Sequence, residues 1–456
     1  MKIGLLPLYI QLYEECAPAY HDPAQRASDI AAGALRKCGF EVESASLCHV
    51  EPEISAAVRK FEASGCQVLV TLHAAYSPSL EAIETLVKTE LPIVVFDTTP
   101  DAEFDFDFGG KLMLNHGIHG VQDMCNMLLK RKKRFIIRAG HIGDEGFMAR
   151  MKQAVLSAGA AYRMTHARVG DIGGIFDGMG DFQIPDGTFG ITRINYVDSP
   201  DYAPSDAEIE AEVAKDRQIF TFSPDLPEDI HRLTVKNGLR LRKWIEAEKL
   251  DAFTVNFLGC GPEIGFDNVP FLECSKAMAR GVGYAGEGDM LTALFCSVLM
   301  RSNHKSTFSE MFCPDWTGNK IFLSHMGEMN LALMDQKPYI APRKWKFGKA
   351  NDIAVATGCL RSGKALLANL APGADGKFTL IAAQVTLTTQ HDANLTDMRG
   401  WFTPPENIPV AEFLEAYSRL GGTHHLVLSY DGDCRLLADL AHLMGWDFHE
   451  ISLGGI

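Results

Sequence analysis

Acidic and imidazole side chains of the types that bind a divalent metal recur in the C-terminal half of the chain. Glu287 is flanked by glycines, Glu310 lies in apolar surroundings, His325 ends an apolar run, and His424 and His425 follow a glycine pair. Carboxylates and imidazoles without a thiolate suit Mn²⁺, Mg²⁺, Co²⁺ or Fe²⁺ better than structural zinc. Sequence spacing leaves open whether these side chains meet.

Each of these residues also has a purely structural interpretation. Glu287 stands between an apolar stretch at 282–285 and a helical run at 290–300, so it either points into a cleft or satisfies a helix N-terminus. Glu310 is costly to bury unless it is paired or metal-bound. His325, taken alone, is more often a core histidine, and Glu328 is either a partner of His325 or a surface acid.

The paired histidines open a predicted strand. Adjacent residues of a strand point to opposite faces. We therefore expect at most one of His424 and His425 to enter a given site.

The first 160 residues alternate short apolar runs with amphipathic stretches. Strands are predicted at 3–8, 41–47, 67–72, 92–97 and 135–138, with helices between them. This alternation is typical of a doubly wound parallel sheet, which binds ligands at the carboxyl ends of its strands. Tyr9, His73, Thr98 and His141 follow or end those strands and are candidates for ligand contact.

The pattern of apolar and charged residues along the chain changes twice. A glycine-rich segment at 170–180 precedes charged helices and an apolar strand, and after about residue 303 the runs become β-rich. The prediction is an α/β protein of three domains: an N-terminal Rossmann-like domain at 1–162, a central α/β domain at 163–305, and a β-rich C-terminal domain at 306–456 that carries metal-site residues.

Two further motifs give secondary expectations. Residues 358–365 have P-loop spacing but end in Ala365, which has no hydroxyl for Mg²⁺, so a hairpin turn at Ser362 and Gly363 is favoured. His116 and His119 are three residues apart in a helix predicted at 112–129, so we expect them to share a helix face with Gln122.

Composition excludes several classes of protein. The chain has 43 Lys and Arg against 58 Asp and Glu, a formal net charge of −15. This balance argues against nucleic acid or an anionic membrane as partner. No secretory signal is recognisable at the N-terminus, and no stretch reaches the ~18 apolar residues of a membrane span. The 11 cysteines form no C-x-x-C pair, which favours reduced thiols in a cytoplasm.

Four ordered motifs carry a resemblance to a known family. They are GYAGEGD at 283–289, TFSE at 307–310, LSHM at 323–326 and GGTHH at 421–425. The chain resembles the L-arabinose isomerase and L-fucose isomerase superfamily, nearest the arabinose side, over most of its length.

The resemblance implies a three-domain, divalent-metal aldose–ketose isomerase, assembled as a homo-trimer or homo-hexamer with active sites at subunit interfaces. It implies Mn²⁺, or Mg²⁺ or Co²⁺, held by Glu287, Glu310, His325 and His425, with the two glutamates as acid and base in an order left open. Phe257 would line the sugar, and His141 would reach a neighbouring subunit's site.

The chain departs from the family pattern at specificity elements. Met311 and Phe312 replace an acidic residue that follows the second metal-site glutamate, and the loop at 7–13, which contains Tyr9, matches poorly. The expected substrate is therefore a pentose, a deoxyhexose or a modified sugar. Two alternatives stay open: a metal-dependent sugar epimerase, and a non-catalytic sugar-binding protein.

Overall fold

The computed structural model describes residues 1–104, 111–303, 305–391, 397–405 and 408–452. The chain forms two compact units. The first comprises Met1–Tyr162 with Ala438–Gly445, and the second comprises Arg163–Leu437 with Trp446–Ile456. The boundaries of the three predicted domains stay a prediction.

The first unit contains a parallel sheet. Within its described residues the sheet has five strands in the order β2-β1-β3-β4-β5. The strands are β1 (Lys2–Leu8), β2 (Glu41–Ser44), β3 (Val68–His73), β4 (Ile93–Asp97) and β5 (Phe135–Ala139). All six residues of β3 are buried, as expected for a parallel strand that is covered on both faces.

Helices cover both faces of this sheet. They are α1 (Gln11–Cys16), α2 (His21–Lys37), α3 (Glu51–Ala63), α4 (Ile83–Lys88), α5 (Leu112–Asn115), α6 (Ile118–Lys130) and α7 (Glu145–Thr165). One apolar core packs α2 and α7 against the sheet. A second core packs α3, α4 and α6 against the opposite face. The predicted doubly wound parallel sheet is confirmed.

The single helix predicted at 112–129 is wrong. The chain leaves the helix at His116, whose φ is −100° and ψ is 26°, and starts again at Ile118. A Cβ at Gly117 would lie 2.8 Å from the carbonyl oxygen of His73, so the break lets the backbone pass close to β3. His116 and His119 therefore do not share a helix face, although their ring centroids are 5.5 Å apart.

The second unit begins with another parallel sheet. Among its described residues, this sheet has four strands in the order β10-β9-β6-β7. They are β6 (Arg168–Ile172), β7 (Thr192–Asn195), β9 (Ala252–Val255) and β10 (Gly283–Gly286). The accompanying elements are α8 (Asp206–Ile219), the short strand β8 (Thr221–Phe222), α9 (Glu228–Ala247), α10 (Phe271–Ala279) and α11 (Met290–Asn303).

The rest of the second unit is β-rich, as predicted. Its strands are β11 (Ser306–Asp315), β12 (Lys320–Ser324), β13 (Tyr339–Arg343), β14 (Ile353–Cys359), β15 (Gly363–Pro372), β16 (Phe378–Thr388), β17 (Met398–Thr403), β18 (His425–Tyr430) and β19 (Asp447–Glu450). They form a mixed sheet, and the helix α12 (Val410–Arg419) lies in the same unit. The helix α13 (Cys434–Met444) begins in the second unit and continues into Ala438–Gly445, the segment that belongs to the first. Because β16 also pairs with β17, strands β16, β15, β18, β11, β12 and β17 close into a barrel around an apolar core.

The hairpin predicted at Ser362 and Gly363 is wrong. The segment does connect two strands, but β14 pairs with β13 and β17, whereas β15 pairs with β16 and β18. The connection therefore crosses between different parts of the sheet.

In the described ranges, we find no helix of the length and apolarity that a membrane span requires. The eleven cysteines all lie in those ranges and are free thiols.

Candidate active site and metal centre

Four of the predicted site residues converge in the second unit. Glu287, Glu310, His325 and His425 each offer one ligand atom, and these atoms all lie within 4.8 Å of one another. Strand register explains much of this: in the barrel, Glu310 of β11 lies opposite His425 of β18 and opposite Ser324, the residue before His325. Residues that face each other across strands have close Cβ atoms, so pairing alone makes Glu310 and His425 neighbours, and His325 comes directly after the residue of β12 that lies opposite Glu310.

Glu287 reaches the same point from the parallel sheet. It follows β10 and has a φ of 65°, a left-handed conformation that costs free energy in a non-glycine residue. The flanking glycines allow this turn. A Cβ at Gly286 would lie 2.8 Å from Cε1 of His325, and one at Gly288 would lie 2.4 Å from the carbonyl oxygen of Gly174. The Gly-Glu-Gly pattern thus lets the carboxylate approach the histidines closely.

Each of the two converging histidines is oriented by a buried carboxylate. Nδ1 of His325 lies 2.8 Å from Glu328, whose other oxygen accepts a hydrogen bond from the hydroxyl of Tyr284 at 2.8 Å. Nδ1 of His425 lies 2.9 Å from Asp289. With Nδ1–H donating to the carboxylate, the Nε2 lone pair of each ring is directed away from it and is available as a ligand.

The donor atoms fit a divalent metal. Oε2 of Glu287 and Nε2 of His425 are buried without a hydrogen-bond partner in the described part of the chain. Nε2 of His425 lies 3.5 Å from Oε2 of Glu287 and 3.3 Å from Oε1 of Glu310. Donor atoms that are each about 2.1 Å from one ion lie roughly 3.0–3.4 Å apart, so these separations match ligands around a common metal.

Both glutamates are held as carboxylates. Burial acts to raise the pKa of Glu287, but the close imidazoles of His424, His425 and His325 outweigh it and lower the pKa to about 2. At Glu310, too, burial acts to raise the pKa, but His425 and the neighbouring histidines outweigh burial and hold the pKa below its ordinary value. The site therefore presents two negative charges to a cation.

His424 also lies at the site, which contradicts the prediction from strand alternation. Its Nε2 is 3.7 Å from Glu287 and 3.6 Å from Glu310. Strand β18 begins only at His425, so His424 precedes the pleat and the alternation rule does not apply to it. Asp181 fixes its position by accepting hydrogen bonds from its backbone N–H at 2.9 Å and from Nδ1 at 2.7 Å.

Sequence reasoning missed three residues that support the site. Asp289 directly precedes α11, and that position alone predicts only a helix N-terminal acid. It does accept a hydrogen bond from the backbone N–H of Thr292 at 2.8 Å, and it also binds His425. Asp181 had no signal in the sequence, and neither had Phe182, whose ring stacks on His425 at 5.2 Å. Glu328, one of whose two interpretations was a partner of His325, is fully buried in that role.

The predicted sugar-contacting residues are distributed over both units. Phe257 belongs to the second unit, is buried, and packs against Phe176 with ring centroids 5.5 Å apart. Tyr9 and His141 belong to the first unit. Tyr9 is buried, its hydroxyl has no hydrogen-bond partner among the described residues, and burial raises its pKa to about 12. His141 follows β5 and accepts a hydrogen bond from the backbone of Gly143 at 3.1 Å. Their contacts with a sugar stay predictions.

Known proteins match the chain over most of its length. Residues 193–304 match the L-arabinose isomerase central domain, and residues 305–447 match the L-arabinose isomerase C-terminal domain. The L-arabinose isomerase of Shouchella clausii (strain KSM-K16) is 26% identical over 84% of this chain and 81% of its own length. That of Pediococcus pentosaceus is 25% identical over 84% of each chain, and that of Bacillus subtilis (strain 168) is 26% identical over 83% of this chain and 80% of its own. The chain belongs to the arabinose isomerase-like superfamily of sugar isomerases.

Proposed function

We propose that this protein is a divalent-metal-dependent aldose–ketose isomerase that acts on a pentose, a deoxyhexose or a related modified sugar through an ene-diol intermediate. Membership of the family supports the reaction class. The observation that supports the metal dependence is a pair of buried donor atoms, Oε2 of Glu287 and Nε2 of His425, which have no hydrogen-bond partner among the described residues and lie beside Glu310 and His325.

Glu287, Glu310, His325 and His425 would hold the ion, for which we propose Mn²⁺, with Mg²⁺ and Co²⁺ as alternatives. When bound, a divalent cation stabilises the negative charge that develops on two neighbouring sugar oxygens during the reaction.

The side chains of the site can supply the proton transfers. An aldose–ketose shift moves a proton between C1 and C2 of the sugar, and it needs a base at that carbon and an acid group at the oxygens. Glu287 and Glu310 are both ionised and both lie beside Nε2 of His425, so either can accept the carbon-bound proton. His424, held by Asp181, lies 3.6–3.7 Å from both carboxylates and is placed to pass a proton to the oxygens.

The supporting residues keep this geometry fixed. Asp289 and Glu328 hold the imidazole rings, and Phe182 covers one face of His425. A ring that is oriented in advance loses little entropy when the site forms the transition state. Water is excluded from the rear of the site, because His325, Glu328 and His425 are buried.

The proposal extends to assembly and location. We propose a homo-trimer or homo-hexamer with active sites at subunit interfaces, to which Phe257, Tyr9 and His141 contribute sugar contacts, in a cytoplasm. The family resemblance supports the assembly, and the free cysteines are compatible with a reducing compartment.

A sugar panel tests the function. Metal-stripped protein is incubated with pentoses, deoxyhexoses and sulfonated or otherwise modified sugars in D₂O, with and without Mn²⁺, and NMR follows ketose signals and deuterium at C1 or C2. Mn²⁺-dependent ketose formation from one sugar class, absent in Glu310→Gln, is the expected result. Deuterium exchange without ketose would show epimerisation instead, and sugar binding that survives Glu310→Ala without any exchange would show a binding protein.

A further inference from the structure

A second group of potential metal ligands lies in the first unit. Glu14, His21 and His49 each offer one ligand atom, and these atoms lie within 4.8 Å of one another. Oε1 of Glu14 is 2.7 Å from Nδ1 of His21 and 2.9 Å from Nε2 of His49. We call these three residues the His–Glu–His cluster. None of them takes part in the proposed isomerase site.

Three chain segments place the cluster at the carboxyl ends of β1 and β2. Glu14 lies on α1, His21 is the first residue of α2, and His49 stands just before α3. The backbone of Tyr9 donates to the carbonyl of Cys48 at 3.0 Å, and Leu8 and Cys48 form a parallel bridge, which ties the His49 segment to the end of β1. Ligand sites of doubly wound sheets occur at this edge.

The cluster has the support expected for a metal-binding histidine. Glu53 lies 2.9 Å from Nδ1 of His49 and also accepts the backbone N–H of His49 at 2.8 Å. A carboxylate on the far nitrogen is the usual means of orienting a metal-bound imidazole. Here it directs Nε2 of His49 toward Glu14.

The two carboxylate contacts of His49 leave room for either a second proton or a cation. His49 has a carboxylate oxygen 2.9 Å from each of its two ring nitrogens. A neutral imidazole carries one N–H, so it can donate to only one of them. The second contact joins a nitrogen lone pair to an anionic oxygen unless a proton or a metal ion lies between them. The one oxygen of Glu14 also faces a nitrogen of His21, so two rings and one carboxylate converge on a small volume.

We propose that the His–Glu–His cluster binds a divalent transition metal, with Zn²⁺ as the ion that fits best and Co²⁺ and Ni²⁺ as substitutes. Two imidazole nitrogens and one carboxylate oxygen are a borderline donor set of the kind these ions prefer. The side chains of His21, Glu14 and His49 are 41%, 25% and 12% exposed, so an ion can enter from solvent. Opening the donor separations to about 3.4 Å would accommodate it in tetrahedral geometry.

The bound ion would have a fourth position that these three residues do not fill. Water or an anionic or hydroxylated ligand would occupy it. It would also cross-link α1, the start of α2 and the segment before α3. We therefore expect bound metal to raise the unfolding temperature of the protein.

The number of metal ions bound per chain tests the proposal, when it is measured in a background variant that lacks the proposed isomerase site. The background variant carries Glu310→Gln and His325→Gln, and metal-stripped full-length protein is titrated with Zn²⁺ alone in equilibrium dialysis. We expect one equivalent per chain in the background and none after adding Glu14→Gln and His49→Gln. The matched control is Glu15→Gln. It removes the same charge from the neighbouring position, which is exposed, and the variant should still bind one equivalent of Zn²⁺. Co²⁺ should give an intense visible d–d band that follows the same variants.

Two further measurements keep the test decisive. Glu53→Gln should weaken Zn²⁺ binding about 10–100-fold, as removal of an orienting carboxylate usually does. Circular dichroism in chelator checks that each variant is folded; if the double variant is not, His21→Gln, at the most exposed of the three positions, replaces it. Absence of Zn²⁺ binding in the background, or binding that survives Glu14→Gln with His49→Gln, would show that the cluster is an ion-paired network only. Because the background lacks the isomerase site, either result is independent of the proposed function.

Discussion

Asp289 accepts a hydrogen bond from Nδ1 of His425 at 2.9 Å, although the two residues are 136 positions apart in sequence. Its other carboxylate oxygen accepts the backbone N–H of Thr292 in the first turn of α11. One buried carboxylate therefore links a histidine of the barrel to the helix that follows β10 of the parallel sheet. Glu287 follows a strand of the parallel sheet, whereas Glu310 and His425 lie on strands of the barrel. Asp289 helps to fix the position of His425 relative to Glu287.

Asp289→Asn should weaken metal binding without unfolding the protein. The amide oxygen can still cap α11, but the charge that orients His425 is lost, and the expected cost is about 10–100-fold in Mn²⁺ affinity. Calorimetric titration with Mn²⁺ measures this. The control is Asp375→Asn at an exposed turn, which should bind Mn²⁺ as the unmodified protein does. Unchanged affinity in Asp289→Asn would mean that packing alone orients the ring.

Glu287→Gln and Glu310→Gln should each abolish most turnover. The substitution keeps the shape of the side chain but removes a base, and loss of general acid–base catalysis typically costs about 10²–10⁴-fold. Ketose formation at saturating Mn²⁺ and the unfolding temperature should be measured together. The lowered pKa of each carboxylate means that its charge stabilises the fold near neutrality, so the metal-free variants should be folded but somewhat less stable than the unmodified protein. If a variant retained more than a tenth of the activity, the substituted glutamate would not be the base or acid that we propose.

The two adjacent histidines should differ in what their loss affects. His425→Ala removes a ligand nitrogen and should abolish Mn²⁺ binding. His424→Ala should leave Mn²⁺ bound but lower turnover, since its ring contacts the carboxylates from outside the ligand set. Asp181→Asn should resemble a weaker form of His424→Ala, because Asp181 holds that ring. Loss of metal in all three variants would make His424 a ligand and require a different assignment.

The parts of the structure that were predictable from sequence are those set by local pattern. Alternating apolar runs predicted the first parallel sheet, because a strand that is buried on both faces is apolar throughout. The ligand candidates were recognisable from residue type and from the glycines beside Glu287. The resemblance then singled out His425 from its neighbour.

The missed features depend on contacts that local pattern does not encode. His424 enters the site because it precedes β18, so strand alternation does not govern the direction of its side chain. Asp181 lies 243 positions from His424, in a segment without a regular pattern. The helix predicted through His116 breaks because β3 passes close to Gly117, which is a tertiary effect.

Gly288→Ala should be far more damaging than an equivalent substitution elsewhere. Gly288 has a φ of +87°, and an added Cβ would lie 2.4 Å from the carbonyl oxygen of Gly174, so the turn that carries Glu287 would have to move. Gly421 has a φ of +82° but nothing within 4 Å of the added atom. Gly421→Ala should cost about 1 kcal/mol of unfolding free energy from backbone strain alone and keep turnover. Gly288→Ala should cost more and lose turnover, as measured by denaturant unfolding and the ketose assay. Similar costs at both sites would rule out the steric explanation.

A buried ion network in the second unit should make stability sensitive to Glu212. Arg242 donates to Glu212 at 2.7 and 3.1 Å and to Glu273 at 2.8 and 2.9 Å, and Lys276 donates to Glu212 at 2.9 Å. Removing one partner of a buried charged pair typically costs about 3–5 kcal/mol, because the remaining charge loses its compensation. We expect a loss of this order for Glu212→Gln in urea unfolding. Glu415→Gln, which breaks the exposed pair with Arg419, should cost under about 1 kcal/mol.

The contribution of Glu212 should depend on pH in one direction. Burial acts to raise its pKa, but Arg242 and Lys276 outweigh burial and hold the pKa well below the ordinary value of 4.5. A carboxyl whose pKa is lower in the folded than in the unfolded protein stabilises the fold above its unfolded pKa, and that stabilisation declines as the pH falls. The stability difference between the unmodified protein and Glu212→Gln should therefore be largest near neutrality and shrink progressively below about pH 5. Urea unfolding at several pH values measures it, and a difference that stayed constant from pH 7 to pH 4 would show that lost packing, rather than lost charge, is the cause.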